Sequence, residues 1–261
     1  MSGGLYINQK SGKPVLMIYT GNANDPFEMK EFDSMDEVER LFDREMPQAV
    51  KRLSYAKAQL IMSEPFLATI LMNLVVEWRL IAWMAAVSSK RLILNPINFN
   101  KLTLKEQTFL LAHEVMHIAL QTSSNMKDCA SAGILDVRSG SDLETYNNAS
   151  DYIINQMLTD SKVGSMIHGG LLDKSICDMG GNTQNGVYKL LRSRQQGKGT
   201  AKTATNKAKG RAKGRAKGRV KATSRATVKD KSQCRAMAAS IGSSLRWTTL
   251  KPKSRSSGRR I

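Results

Sequence analysis

His113, Glu114 and His117 stand in the order H-E-x-x-H within the stretch LTLKEQTFLLAHEVMHIALQTSS, residues 102–124. Imidazole nitrogen is a good zinc ligand. Residues four apart on a helix are surface neighbours, so both histidines can reach one ion. Glu114 is one position on, where its carboxylate can take a proton from a water at the open coordination position. Two of the three histidines in 261 residues fall in this one pattern. That concentration favours a metal site over two solvated or core histidines. The pattern gives two protein ligands, whereas a catalytic zinc usually takes three, so a third must come from elsewhere in the chain.

The elements that would hold these residues are legible around them. Thr103 and Glu106 stand three apart, as a capping box does, just before the apolar run. Leu110, Leu111, Val115, Ile118 and Ala119 recur at helical spacing and would face a core. A second helix is predicted over 142–159, with Ser141 and Glu144 as its capping box and Tyr146, Ala149, Ile153 and Met157 as its apolar stripe. Beside that stripe run Glu144, Asn147 or Asn148, Asp151 and Asn155 at i, i+3/i+4 spacing. If the two helices pack together, Asp151 can close the metal site with a carboxylate. His168, in SMIHGG, is the rival for that place. Asp151 has a further possible role, orienting His113 or His117 through the far ring nitrogen.

Earlier in the chain, residues 5–20 read as a β-hairpin turning at Lys-Ser-Gly-Lys. A helix follows over 34–46, with Ser34 and Glu37 as its capping box. Pro47 is read as a break before a second helix over 48–62, and Pro65 as the boundary of a third, apolar helix over 66–79. The segments LIAWMAAV and RLILN read as a pair of strands joined at Ser88-Ser89-Lys90, ended by Asn95-Pro96. A strand next to the site can hold an extended peptide by β-augmentation. Residues 125–141, rich in Ser, Gly and Asp, read as a loop.

Composition narrows the class. The net charge of +18 is very uneven: residues 1–194 hold 20 Lys+Arg and 21 Asp+Glu, and residues 195–261 hold 20 Lys+Arg and the single acid Asp230. Three copies of Ala-Lys-Gly-Arg run from Ala208 to Arg219. Repeated glycine and scarce apolar surface predict a disordered polycation over 195–261, with a short helix at 236–247. Such a segment binds nucleic-acid backbones without sequence preference. The longest apolar stretch, Phe66 to Ala86, carries Glu77 and Arg79 near its middle, which argues for a buried helix and strand over a membrane span. Cys129, Cys177 and Cys234 form no C-x-x-C pair and indicate neither a zinc ribbon nor a disulfide framework. With no secretory signal at the N-terminus, the expected location is cytoplasmic.

The region from about Ala49 to Leu191 resembles the putative metallopeptidase domain that precedes a von Willebrand A-like domain in many bacterial proteins. The matching pieces are RLILNP, LLAHEVMHIAL, NNASDYIINQML and the closing GGLLD…GVYKLL. The resemblance implies a zincin-like fold and a metal site at His113, Glu114, His117 and Asp151. The chain departs from the family in having Ser88-Ser89 where an Asp-Gly turn is usual, and no von Willebrand A-like domain follows within its 261 residues.

Together these readings predict an α+β, mainly helical zincin-like domain with a small β-hairpin or sheet. Its divisions are an N-terminal extension over 1–47, the metallopeptidase-like domain over 48–194 and the basic tail over 195–261. The expected activity is zinc-dependent hydrolysis of a protein or peptide. Zn²⁺ is held by His113, His117 and Asp151, Glu114 is the base, and Tyr146, Tyr152 and Tyr188 are candidates for stabilising the oxyanion. The alternative is a nucleic-acid-associated binding protein whose zincin-like domain is structural or inactive.

Overall fold

The structure is a computed structural model and describes residues 4–195. It opens with an antiparallel sheet of Leu5–Ile7 (β1), Pro14–Tyr19 (β2) and Phe27–Glu31 (β3), in the order β1-β2-β3. Gly12 turns β1 into β2 at φ 70°, a conformation that costs glycine nothing and a side chain about 1–2 kcal/mol. β2 is central and buries Val15, Leu16, Ile18 and Tyr19. The expected hairpin is therefore present, with an added third strand. β3 is an edge strand of mostly exposed, charged residues (FEMKE) and carries little alternation to betray it.

The long helix α1 spans Met35–Ser63 and passes through Pro47, where a break was expected. A proline removes one N–H and displaces the carbonyl four residues back. Asp43 and Pro47 both lie on the exposed side of α1, so that carbonyl meets water. On the next turn, Asn100 Nδ2 donates to the Glu45 carbonyl at 2.9 Å, which fastens α1 to the elements that follow.

The helix α2 is shorter than the 66–79 predicted and ends at Met72 (Pro65–Met72). Residues Val75–Trp78 leave the helix as a strand, β4, and pair in parallel with Arg91–Leu94 (β6). Ala85–Val87 (β5) pairs antiparallel with β6, giving the order β4-β6-β5. The expected hairpin at Ser88-Ser89-Lys90 is thus present, although residues 80–84 lie outside the strand. Pro96 ends β6 as expected. It also begins a short helix, α3 (Pro96–Lys101), where Asn95 Oδ1 accepts from the amides of Ile97 and Asn98.

The site helix, α4, spans Leu104–Ala119 with the predicted Thr103–Glu106 capping box at its start. It ends sooner than residue 124. Gln121 adopts the left-handed conformation at φ 52° and turns the chain into α5 (Thr122–Ser131), which takes residues 125–131 of the stretch expected to be a loop. The next helix, α6, spans Gly140–Asp160 and is capped by Ser139, whose Oγ accepts from the Asp142 amide, in place of the expected Ser141. A short α7 (Lys174–Met179) and helical residues 184–195 complete the described chain.

Two cores meet at α6. Ile154 and Leu158 join the larger core with Leu111, Ala112 and Val115 of α4, while Tyr146, Ala149 and Ile153 join a second core with Cys129, Cys177, Val187 and Tyr188. Burying each large aliphatic side chain stabilises the fold by about 1.5–3 kcal/mol. Because α6 is buried on two faces, its apolar set is broader than one stripe, and the predicted member Met157 is 43% exposed. Cys129 and Cys177 are free and buried; Cys234 lies outside the described residues. No described helix is long and apolar enough to cross a membrane. The readings of a disordered tail and of a short helix at 236–247 fall on residues beyond those described.

Candidate metal centre

The capping box fixes where α4 begins and hence which way its side chains point. Thr103 Oγ1 accepts from the Glu106 amide, and the Glu106 carboxylate accepts from the Thr103 amide at 2.8 Å. From that start, Leu111 and Val115 are driven into the larger core, and His113 and His117 fall one above the other on the face toward α6. Their Nε2 atoms are 3.1 Å apart. Asp151, from the middle of α6, brings Oδ1 to 3.2 Å from His117 Nε2 and 3.5 Å from His113 Nε2.

Each imidazole is held from behind. Asn155, one turn along α6 from Asp151, uses Nδ2 to donate to the Leu171 carbonyl at 2.9 Å. Its Oδ1 therefore faces His113, so His113 Nδ1 is the donor in the 2.8 Å contact between them. The lone pair that His113 can offer a metal is on Nε2. His117 Nδ1 rests 3.3 Å from Thr122 Oγ1 at the start of α5. On the carboxylate, Asp151 Oδ2 accepts from Asn147 Nδ2 at 3.0 Å. Oδ1 is buried and aligned with no hydrogen-bond donor.

The electrostatics follow from this crowding. Burial alone would lower the His113 pKa, but the Asp151 carboxylate beside it, helped by Glu114 and Asn155, raises it to about 9. Burial likewise works against the Asp151 carboxylate, and the two imidazoles outweigh it, holding its pKa down at about 2. Glu114 is 7% exposed, and burial pushes its pKa above the usual carboxylate range against the pull of the two histidines. Its carboxylate makes no hydrogen bond among the described residues.

These three ligand atoms suit a metal ion. Pairwise distances of 3.1 to 3.5 Å bracket the edge of a tetrahedron whose corners lie about 2.0–2.1 Å from zinc, an edge of about 3.3 Å. The buried Asp151 Oδ1 without a hydrogen bond is the kind of acceptor that an ion completes. Among the described residues, His113, His117 and Asp151 form the group able to hold a metal. His168, the rival third ligand, is exposed on the loop after α6 and is absent from that group.

A family model matches residues 48–256. The chain belongs to the putative metallopeptidase domain family. This metallopeptidase-domain match is wider than the resemblance over 49–191, and it takes in most of the basic segment. Comparison with curated proteins and with solved structures gave no match.

Other sequence candidates sit away from the centre of this metallopeptidase domain. Tyr146 and Tyr188 are fully buried in the second core, with their hydroxyls on Asn185 Oδ1 and the Ile134 carbonyl. Tyr152 packs against the same core. Sequence reasoning placed Asn155 in the polar row of α6 without assigning it a partner, and it missed Thr122. The i, i+4 step from Asp151 to Asn155 was the available signal for the first. Nothing local marks the second.

Proposed function

We propose that this chain hydrolyses peptide bonds at a zinc centre held by His113, His117 and Asp151. The carrying observation is the meeting of two Nε2 atoms and the buried Asp151 Oδ1, with Glu114 buried next to His113 in the chain. Zinc held by these residues would supply Lewis acidity toward a substrate carbonyl and lower the pKa of a water to about 7. His113 presents Nε2 because Asn155 occupies its Nδ1, and Asp151 adds the negative charge that a divalent ion favours. Glu114 takes the proton of the attacking water and passes it to the leaving amine nitrogen. Burial raises its pKa above the usual carboxylate range, which favours its taking up that proton. β5 is an edge strand that packs against α4, so its free edge offers a place beside the site helix for an extended peptide to add by β-augmentation.

The test is metal content and hydrolysis together. Wild-type protein prepared without chelators is expected to carry close to one zinc per chain by elemental analysis. Glu114→Gln should keep that zinc and lose about 100-fold or more of its hydrolysis of an unstructured protein substrate, the usual worth of a general base. Wild-type protein without metal overturns the reading, and equal hydrolysis by the two proteins removes Glu114 from it.

The concentration of charge in residues 195–261 favours a second reading: a nucleic-acid-associated protein whose metal centre is structural. On that reading Glu114→Gln changes neither folding nor nucleic-acid binding, and the wild type hydrolyses no peptide substrate.

A further inference from the structure

Behind His117 lies a chain of two amides, half-buried Asn125 and buried Gln184, that local sequence does not announce. Asn125 Nδ2 donates to the Leu120 carbonyl at the end of α4 (2.9 Å) and to Gln184 Oε1 (3.0 Å). Both are acceptors, so the Asn125 and Gln184 amides have fixed orientations. Gln184 must then present Nε2 to Thr122, and it donates to Thr122 Oγ1 at 2.8 Å. Thr122 Oγ1 is in turn the 3.3 Å neighbour of His117 Nδ1. Thr122 and Gln184 are 5% and 7% exposed, so water cannot easily replace either partner.

The backbone is bent to make this chain possible. Gln121 sits at φ 52° between α4 and α5, a conformation that disfavours a residue other than glycine. That turn brings Thr122 back over the last turn of α4. Asn125 answers the Leu120 carbonyl left free there and holds Gln184 with the same amide nitrogen.

We propose that Gln184, oriented by Asn125, is a positioning residue for His117. By anchoring Thr122 it keeps Oγ1 in place to accept the His117 Nδ1–H, so that Nε2 keeps its lone pair for a metal. His117 is thereby governed from the C-terminal helical residues 184–195, as His113 is governed from α6 by Asn155. This inference rests on the metal reading above, and it gives residues 184–195 a part in metal binding that the ligand set alone does not reveal.

The experiment measures zinc affinity of the full chain by chelator competition, and the visible absorption of the cobalt-loaded protein, which reports ligand geometry. Gln184→Leu and Thr122→Val should each weaken zinc binding roughly 10- to 100-fold, the usual effect of losing an outer hydrogen bond to a ligating histidine. Both should also alter the cobalt spectrum. Thr122→Ser, which restores the hydroxyl, should return both readouts to wild-type values. Wild-type affinity and spectrum in folded Gln184→Leu and Thr122→Val overturn the proposal while leaving the metal reading standing. Failure of the wild type to bind zinc or cobalt overturns the metal reading and this one with it. If Gln184→Leu does not fold, the comparison of Thr122→Val with Thr122→Ser decides: loss in the first and recovery in the second supports the relay, and no difference overturns it.

Discussion

Asp151 carries the densest chemistry of any single residue. Its carboxylate is the negative charge between two imidazoles, and in the metal-free protein it supports the proton on His113. The His113 pKa, raised to about 9, and the Asp151 pKa, lowered to about 2, are two expressions of one attraction. A raised histidine pKa stabilises the fold fully below about 6.5 and loses that effect as the pH rises through the folded value. A lowered carboxylate pKa stabilises above about 3.9 and loses it as the pH falls through the folded value. The attraction is therefore complete only between about pH 4 and 6.5. Asp151→Asn should destabilise the chelator-treated protein most at about pH 5.5, and the gap from wild type should narrow by about pH 10, where His113 is neutral in both. Thermal unfolding at the two pH values checks this, and a gap independent of pH would remove the ion pair from the account. The same variant should bind zinc more weakly than wild type, because a charged oxygen ligand is replaced by a neutral one.

Elements were legible where the signal is local. The Thr103–Glu106 capping box gave the start of α4, and with it the side of the helix on which His113 and His117 lie. The row of polar residues on α6 pointed to Asp151 because helical spacing is fixed by geometry. Elements defined by a distant partner were hidden. Val75–Trp78 follows an apolar helix and reads as its continuation; only the parallel pairing with β6 makes it a strand. α5 is polar and lacks a strong stripe, since only Thr122 and Cys129 of its residues are buried. Thr122 and Gln184 are ordinary residue types far apart in the chain, so their contact could not be anticipated. Pro47 is the instructive misreading. A proline inside a helix costs about 3 kcal/mol relative to alanine, and α1 bears that cost because its exposed side lets water reach the displaced carbonyl. Pro47→Ala should therefore stabilise the protein, by about 2 kcal/mol once the stiffness that proline gives the unfolded chain is deducted. Urea denaturation measures it. A loss of stability would mean that the proline ring itself is needed for the packing of α1 on α3.

At the scale of the whole molecule, the charge is divided between two parts of the chain. Residues 1–194 are nearly neutral, and residues 195–261 hold 20 Lys+Arg against one acid. The ligand atoms and the amides behind them all come from residues 113–184. The last described contact from the C-terminal side is Gln195, which bonds Thr145 through Nε2 at 3.0 Å. Ending the chain after Gln195 keeps that contact and every group of the metal centre while removing half of the 40 Lys+Arg and all of the net positive charge. The shortened protein should bind zinc as the full chain does and should lose nucleic-acid binding. The full chain should bind two unrelated DNA duplexes equally, since phosphate contacts carry no sequence information. Its binding should weaken by about 10³-fold or more between about 50 and about 200 mM salt, as released counterions are restored. A gel-shift comparison of the two proteins at both salt concentrations reads all of this. Binding retained by the shortened protein would move the nucleic-acid surface onto the described domain. A strong preference for one duplex would require contacts to bases, for which residues 195–261 offer Trp247 as their only aromatic side chain.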